Sequence, residues 1–223
     1  MKSYLSLVPI SAKVHKRQNR MTLMCIVIAV FLVTTVFSIV GAIVDMEKTS
    51  MIGSHGYWHI SIQDISEDVA EQIRSRSDVK TVSECETINA GVDENYYIGS
   101  QRAVLYGVDE SWVTDIWDFL EDGTYPESDT EVIASANIKN TLGVDIGDSI
   151  TLNTPSGSTE YTISGFGSHD LEFNDMYDAV TVYMNRGAFS ELCLANNVEE
   201  SPVYYVRFST DNGVAKRIND IKE

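Results

Sequence analysis

Residues 21–44 read MTLMCIVIAVFLVTTVFSIVGAIV, an apolar run without a charge, closed by Arg20 on one side and Asp45 on the other. At 1.5 Å per residue a helix of this length covers ~36 Å, against roughly 30 Å of bilayer hydrocarbon. The pattern predicts one transmembrane helix over residues 21–44. Thr22, Thr34, Thr35 and Ser38 can bond back to the helix's own carbonyls and are tolerated in lipid. The β-branched residues do not prevent a helix there, because lipid offers the backbone no other partners. A cleaved signal peptide would carry an apolar core of about 7–15 residues ahead of a small-residue cleavage site. Ser38 to Ala42 offers small residues, but the run is longer than that core and residues 1–20 make a long lead. The uncleaved span is the better fit.

Beyond the span the periodicity shortens. His59 to Ile65 alternates as a half-buried strand does. Ser66 to Arg76 is helical, with Ile65, Val69 and Ile73 at four-residue spacing, acids in the first turn and Arg in the last. Val79 to Glu84 and Gln101 to Val108 read as strands, giving a strand–helix–strand order and a layered α/β unit. Ser111 to Leu120 predicts a short helix with Trp112, Ile116, Phe119 and Leu120 on one face, broken at Gly123-Thr-Tyr-Pro126. Glu131 to Ala134 predicts a strand. Ser135 to Leu142 predicts a helix with Ser135 as N-cap and Gly143 as the positive-φ residue that ends it. Gly147-Asp148 is a turn, and Ser149 to Asn153 and Thr159 to Phe166 form a hairpin around Pro155-Ser-Gly157, with Tyr161 and Ile163 on one face. Ala179 to Met184 and Val203 to Phe208 are further strands. Between them Ala188 to Ala195 is helical, with Phe189, Leu192 and Cys193 inward, and Val214 to Ile221 starts a last helix. The fold class is mixed α/β (α+β): an N-terminal transmembrane helix followed by one outer domain over residues 45–223.

Charge orients this arrangement. All 33 acids lie at or after Asp45, while Lys2, Lys13, Lys16, Arg17 and Arg20 precede it. Residues 1–44 therefore carry +5, and eleven bases against 33 acids leave −22 on residues 45–223, within a net charge of −17. The positive-inside rule places residues 1–20 in the cytoplasm as a basic leader, and the acidic body outside. The leader begins Tyr4-Leu5-Ser6-Leu7-Val8-Pro9-Ile10 and is read either as a segment lying on the cytoplasmic lipid surface or as a mobile tail. An acidic body with no basic stripe disfavours nucleic acid.

Candidate chemistry is sparse. His55-Gly-Tyr-Trp-His59 has the histidine spacing of a zinc helix but lacks the glutamate base and runs into a strand. Asp170-Leu-Glu-Phe-Asn174 resembles the opening of a calcium loop, yet Asp175 replaces the turn glycine and Thr181 the bidentate acid. Gly165-Phe-Gly167 lacks the third glycine of a dinucleotide loop. Neither a G-x-S-x-G elbow nor a phosphate loop occurs, so the sequence predicts no enzyme, no metal and no cofactor in this chain. Cys85 and Cys193 are read either as a disulfide or as two buried thiols. Tyr96, Tyr97, Tyr204, Tyr205, Trp58, Trp112 and Trp117 could line a binding surface; such residues more often pack a core.

One resemblance organises these segments. Leu120-Glu-Asp-Gly123-Thr-Tyr-Pro126, Glu131-Val-Ile-Ala-Ser135, Leu142-Gly143-Val-Asp-Ile-Gly147-Asp148-Ser-Ile-Thr-Leu152 and Tyr161-Thr-Ile-Ser-Gly165-Phe resemble, in order, the extracytoplasmic core domain of MacB/FtsX-like ABC transporter permeases. Lys16-Arg17-Gln-Asn-Arg20 before Met-Thr-Leu is similar to the start of that family's first transmembrane helix. The resemblance marks Gly123, Pro126, Glu131, Gly143, Gly147, Asp148 and Gly165 as structural motif positions, and Arg20 and Asp45 as membrane boundaries. It implies a permease subunit in the plasma membrane, working as a homo- or heterodimer with an ATPase subunit that holds the ATP. It further implies export, or transmission of ATPase-driven motion to the outer domain, with peptides, antibiotics or lipoproteins as substrate classes. Such permeases carry three further spans after the outer domain, so the chain reads as an N-terminal fragment or truncated product. The rival readings are a single-span anchored binding or sensor module and an exported enzyme.

Overall fold

The computed structural model describes residues 16–91, 94–168 and 179–222. It divides into two units, Met1–Met51 and Ile52–Glu223. Helix α1 (Lys16–His55) has no buried residue. It is long and apolar enough to cross a membrane, with a mean hydropathy of 2.9 in its most apolar window. Its hydroxyls turn inward as the sequence suggests: Thr22 donates to the Gln18 carbonyl (3.1 Å), Thr34 to Val30 (3.0 Å) and Thr35 to Phe31 (2.7 Å). The helix outruns the apolar stretch at both ends, so Arg20 and Asp45 both lie inside it. Met46, Glu47 and Lys48 are good helix formers and continue it through water-compatible turns. It stops where Gly56 takes φ +81°.

Among the described residues the second unit is built on one ten-stranded mixed sheet. Its described elements are β1 (Ile60–Gln63), α2 (Glu67–Arg74), β2 (Val79–Ile88), β3 (Tyr97–Ile98), β4 (Gln101–Val108), β5 (Leu120–Gly123), β6 (Glu131–Ser135), α3 (Asn137–Leu142), β7 (Ser149–Thr154), β8 (Gly157–Gly167), β9 (Ala179–Asn185), α4 (Arg186–Asn196), β10 (Val203–Phe208) and α5 (Val214–Lys222). The strand order is β1-β10-β2-β4-β3-β7-β8-β6-β9, with β5 beside β8. Strand β9 also pairs in parallel with β4 from Arg102↔Ala179 to Val108↔Asn185. That pairing closes β4, β3, β7, β8, β6 and β9 into a ring, leaving β2, β10 and β1 as an arm.

Alternation along the strands separates two faces. Ala103 and Leu105 of β4 and Val182 and Met184 of β9 share a buried cluster with Phe189 and Leu192 of α4. The Phe189 ring rests directly on Gly107, where an added Cβ would stand 2.2 Å from its Cγ. In the arm, Tyr204, Val206 and Phe208 of β10 pack with Ala70 and Ile73 of α2 and with Val214, Ile218 and Ile221 of α5. The opposite face carries Cys85, Tyr183 and Val108, covered by Trp112, Val113, Ile116 and Phe119.

Three local expectations are corrected. Helix α2 buries Ala70 and Ile73 while Val69 is 39% exposed. Ser66 is extended (ψ 156°), so Ile65 stands outside the helix, although it packs against the same cluster as Ala70 and Ile73. The segment after Ser111 makes a single π-helical turn, Trp112–Ile116, instead of a helix reaching Leu120. Its last residues are claimed by a sheet, because Leu120–Gly123 pairs with Gly165–Gly167 of β8. Ser135 does not cap α3. It ends β6, donates to Asn137 Oδ1 (2.7 Å) and accepts from the Thr181 N–H (2.9 Å).

Two glycines test the packing of this edge. Gly123 has φ +88°, and a Cβ there would meet the Ser164 carbonyl oxygen at 2.2 Å. Gly147 has φ +90° with open space around it. Gly147→Ala therefore carries only backbone strain, about 1–2 kcal/mol. Gly123→Ala adds a backbone clash and is expected to cost more than about 3 kcal/mol. Thermal melts of the two variants should show that order; an equal or reversed order would refute the close approach of β5 to β8.

Candidate functional site

The motif positions marked in the sequence gather around β8 and act as turn chemistry. Gly123 and Gly165 are partners in the β5–β8 ladder. The Gly147 N–H donates to the Ile163 carbonyl (2.9 Å), and the Ile163 N–H returns to Asp148 (2.9 Å). Asp148 Oδ2 accepts from the Asp145 N–H at 2.8 Å. Glu131 Oε2 accepts from the N–H groups of Glu127 (3.0 Å) and Ser128 (3.2 Å), closing the loop that follows buried Pro126. Gly143 ends α3 at φ 68°. These residues hold strands together and bring no reactive groups to one place.

The histidine spacing resolves differently. His55 is in the last turn of α1, whereas His59 lies beyond it in a bend just before β1. His59 Nδ1 accepts from the Phe208 N–H (3.1 Å), and its Nε2 faces Asp211 Oδ1 at 3.3 Å. The Tyr57 hydroxyl also donates to Asp211. Among the described residues no group of three or more potential metal ligands occurs. The acidic segment from Asp170 to Asp175 lies outside the described residues. Cys85 and Cys193 are buried free thiols in separate clusters, and burial raises both, Cys193 to about 11.

The aromatic residues converge instead. The last turn of α1, Ile52–His55, belongs to the second unit. It is fastened there by the Trp117 indole N–H to the Gly53 carbonyl (2.9 Å), the Trp58 indole N–H to His55 (3.0 Å) and the Tyr57 N–H to Ile116 (2.5 Å). Trp58 stands edge-on to Tyr205 at 5.3 Å, and Trp112 edge-on to the same ring at 4.6 Å. Trp117, Phe119, Tyr183 and Tyr106 continue as a chain of ring contacts at 5.2, 4.3 and 5.1 Å. Between these rings and the sheet face opposite α4 lies a cavity of about 510 Å³, walled by Ser54, His55, Trp58, Thr87, Tyr106, Trp112, Trp117, Tyr183 and Tyr205 among others. Sequence reading offered Trp58, Trp112, Trp117 and Tyr205 as a binding surface or, more often for such residues, as packing. They pack, and they also wall this cavity. Tyr96 and Tyr204 are core residues.

On the α4 side, one guanidinium gathers three carboxylates. Arg186 reaches Glu84 (2.7 Å), Glu86 (3.1 Å) and Glu200 (3.0 Å). Glu86 also accepts from the Ser201 N–H (2.5 Å), and Ser190 donates to Glu200 (2.9 Å). The network ties β2, the start of α4 and the segment before β10. Burial raises the Glu84 carboxyl above its ordinary range, opposed by Arg186.

Residues 21–219 match the MacB-like periplasmic core domain, and the chain belongs to that family. The family is the outer domain of ABC-type transporter permeases, and with α1 it makes this a membrane-anchored chain. Two solved structures are similar. One is the periplasmic region of MacB from Actinobacillus actinomycetemcomitans, at 16% identity, covering 72% of this chain and 72% of that one, with a TM-score of 0.49. The other is the extracellular domain of the noncanonic ABC-type transporter YknZ from Gram-positive bacteria, at 12% identity, covering 70% and 83%, with a TM-score of 0.46. No curated protein matches the chain.

Removing the shared cation leaves buried Glu86 and part-buried Glu84 without a counter-charge, so Arg186→Gln should cost about 3–5 kcal/mol in denaturant unfolding. Loss of less than about 1 kcal/mol would show the network to be solvent-screened. Because the folded state holds the Glu84 proton more tightly than the unfolded chain, its contribution falls as pH rises from the ordinary value of 4.5 through the raised one. Glu84→Gln should therefore gain stability relative to the parent as pH rises through that interval. A constant difference across that interval would contradict the burial effect.

Proposed function

We propose that the chain is the permease subunit of an ABC transporter, with its N-terminus in the cytoplasm and residues 45–223 outside. The basic Lys16-Arg17-Gln-Asn-Arg20 flank and the −22 outer body support this orientation. ATP would be bound by a partner ATPase, and two permeases would form the working assembly. The observation that carries the reading is that the family match at residues 21–219 begins within the apolar helix, and the end of that helix is hydrogen-bonded into the outer domain. A helix moved from the cytoplasmic side would transmit through this junction, since Trp117 grips Gly53 and Tyr57 grips Ile116. The exported substrate class, peptide, antibiotic or lipoprotein, is the coarsest statement the resemblance supports.

The test is co-purification of the full protein with its ATPase and reconstitution in liposomes. Association should raise ATP turnover. Trp117→Phe keeps the ring but removes the donor to Gly53; it should reduce the stimulation several-fold with the melting temperature nearly unchanged. Failure of any ATPase to associate would return the chain to the anchored binding-module reading. Full stimulation in Trp117→Phe would leave the transporter standing and remove this junction as its coupling point. Protease added to intact cells should cut the outer domain; protection there with cleavage in inverted vesicles would reverse the orientation.

A further inference from the structure

The aromatic cavity has a chemistry that the transporter reading does not use. Its volume, about 510 Å³, falls within the range of small-molecule sites. Trp58, Trp112, Trp117, Tyr106, Tyr183 and Tyr205 supply six π systems to its wall. Rings in such number attract a cation through their quadrupoles, most strongly where water is excluded. The described wall contains no lysine or arginine to repel one. Glu86 is the one carboxylate among the residues that border the cavity. The body around it carries −22.

We propose that this cavity binds an organic cation: an ammonium group on an apolar body. Trp58, 37% exposed and edge-on to Tyr205, forms the outer wall over the cationic group. Anions are disfavoured by the acidic body around the site. The site needs neither an ATPase nor a particular membrane orientation, so its failure and that of the permease reading are separable.

All three tryptophans of the chain wall the cavity, so intrinsic fluorescence reads this site alone. The full protein in an uncharged maltoside detergent would be titrated with benzoylcholine, and with 3,3-dimethylbutyl benzoate, in which carbon replaces the ammonium nitrogen. Benzoylcholine should give a saturable change, with the uncharged isostere at least about tenfold weaker. Trp58→Leu keeps apolar bulk without the π face; it should weaken benzoylcholine about tenfold while melting like the parent and reporting through Trp112 and Trp117. Equal affinity for the two esters, a linear response without saturation, or unaltered binding in Trp58→Leu would each overturn the proposal. If Trp58→Leu melts lower, the comparison of the two esters on the parent protein decides alone.

Discussion

The outer unit depends on a strand that has almost no solvent face. Ala103, Val104, Leu105 and Val108 of β4 are all buried. One edge of β4 is taken along its length by β9, and the other is divided between β3 and β2. Such a strand must find a partner for both faces, and the two faces here receive unlike partners. The face of Ala103 and Leu105 is filled by α4, with Phe189 seated on Gly107 so closely that any side chain at that position would displace it. The face of Val104 and Tyr106 is covered by a short π-helical turn and its neighbouring rings, which arch over the sheet and leave space beneath. Close packing on one side and an aromatic arch on the other are thus two consequences of burying one strand twice.

What could be read from the sequence was set locally. Gln101–Val108 and Val203–Phe208 announce themselves by composition and alternation, and the structure gives both with the same ends. Gly143 and Gly147 were legible because positive φ selects glycine, and both adopt it. The errors came where tertiary pairing overrode local preference. Ser111–Leu120 has a helical apolar face, and Trp112, Ile116 and Phe119 are all buried, yet the ladder with β8 takes the end of the segment. The cavity was illegible for a different reason. Trp58, Trp112, Trp117 and Tyr205 come from three distant parts of the chain, and nothing in their spacing says that they share one wall. Similarly, Glu131 was marked as a motif position, but its action on the Glu127 and Ser128 N–H groups is visible only in the folded loop.

Charge is arranged with the same division of labour. A domain this acidic repels itself, and most of its carboxylates are left in water, where that repulsion is screened. Glu84 and Glu86 are exceptions, drawn against β2 and held by Arg186 together with Glu200. Such buried pairs seldom add much net stability, because desolvation consumes the Coulomb gain. They do penalise alternatives: any packing of α4 that pulls Arg186 away strands several carboxylates at once. The network therefore specifies where α4 sits on the sheet, and with it which face of β4 is closed.

The end of α1 completes the argument, because the residues that fasten it are the residues that wall the cavity. Trp117 holds Gly53 by its indole N–H and lines the cavity with its ring; Trp58 holds His55 and does the same. Gly56 turns the chain at φ +81° with the Ile116 carbonyl so near that a Cβ would stand 2.8 Å from it. The helix end and the arch consequently cannot be rearranged separately. A guest that binds one arrangement of Trp58 and Trp117 better than another must bias the helix end by its differential affinity, and a force on the helix must alter the guest's affinity by the same factor. Two rings shared between a junction and a cavity are enough to make the coupling reciprocal, without any further device in the fold.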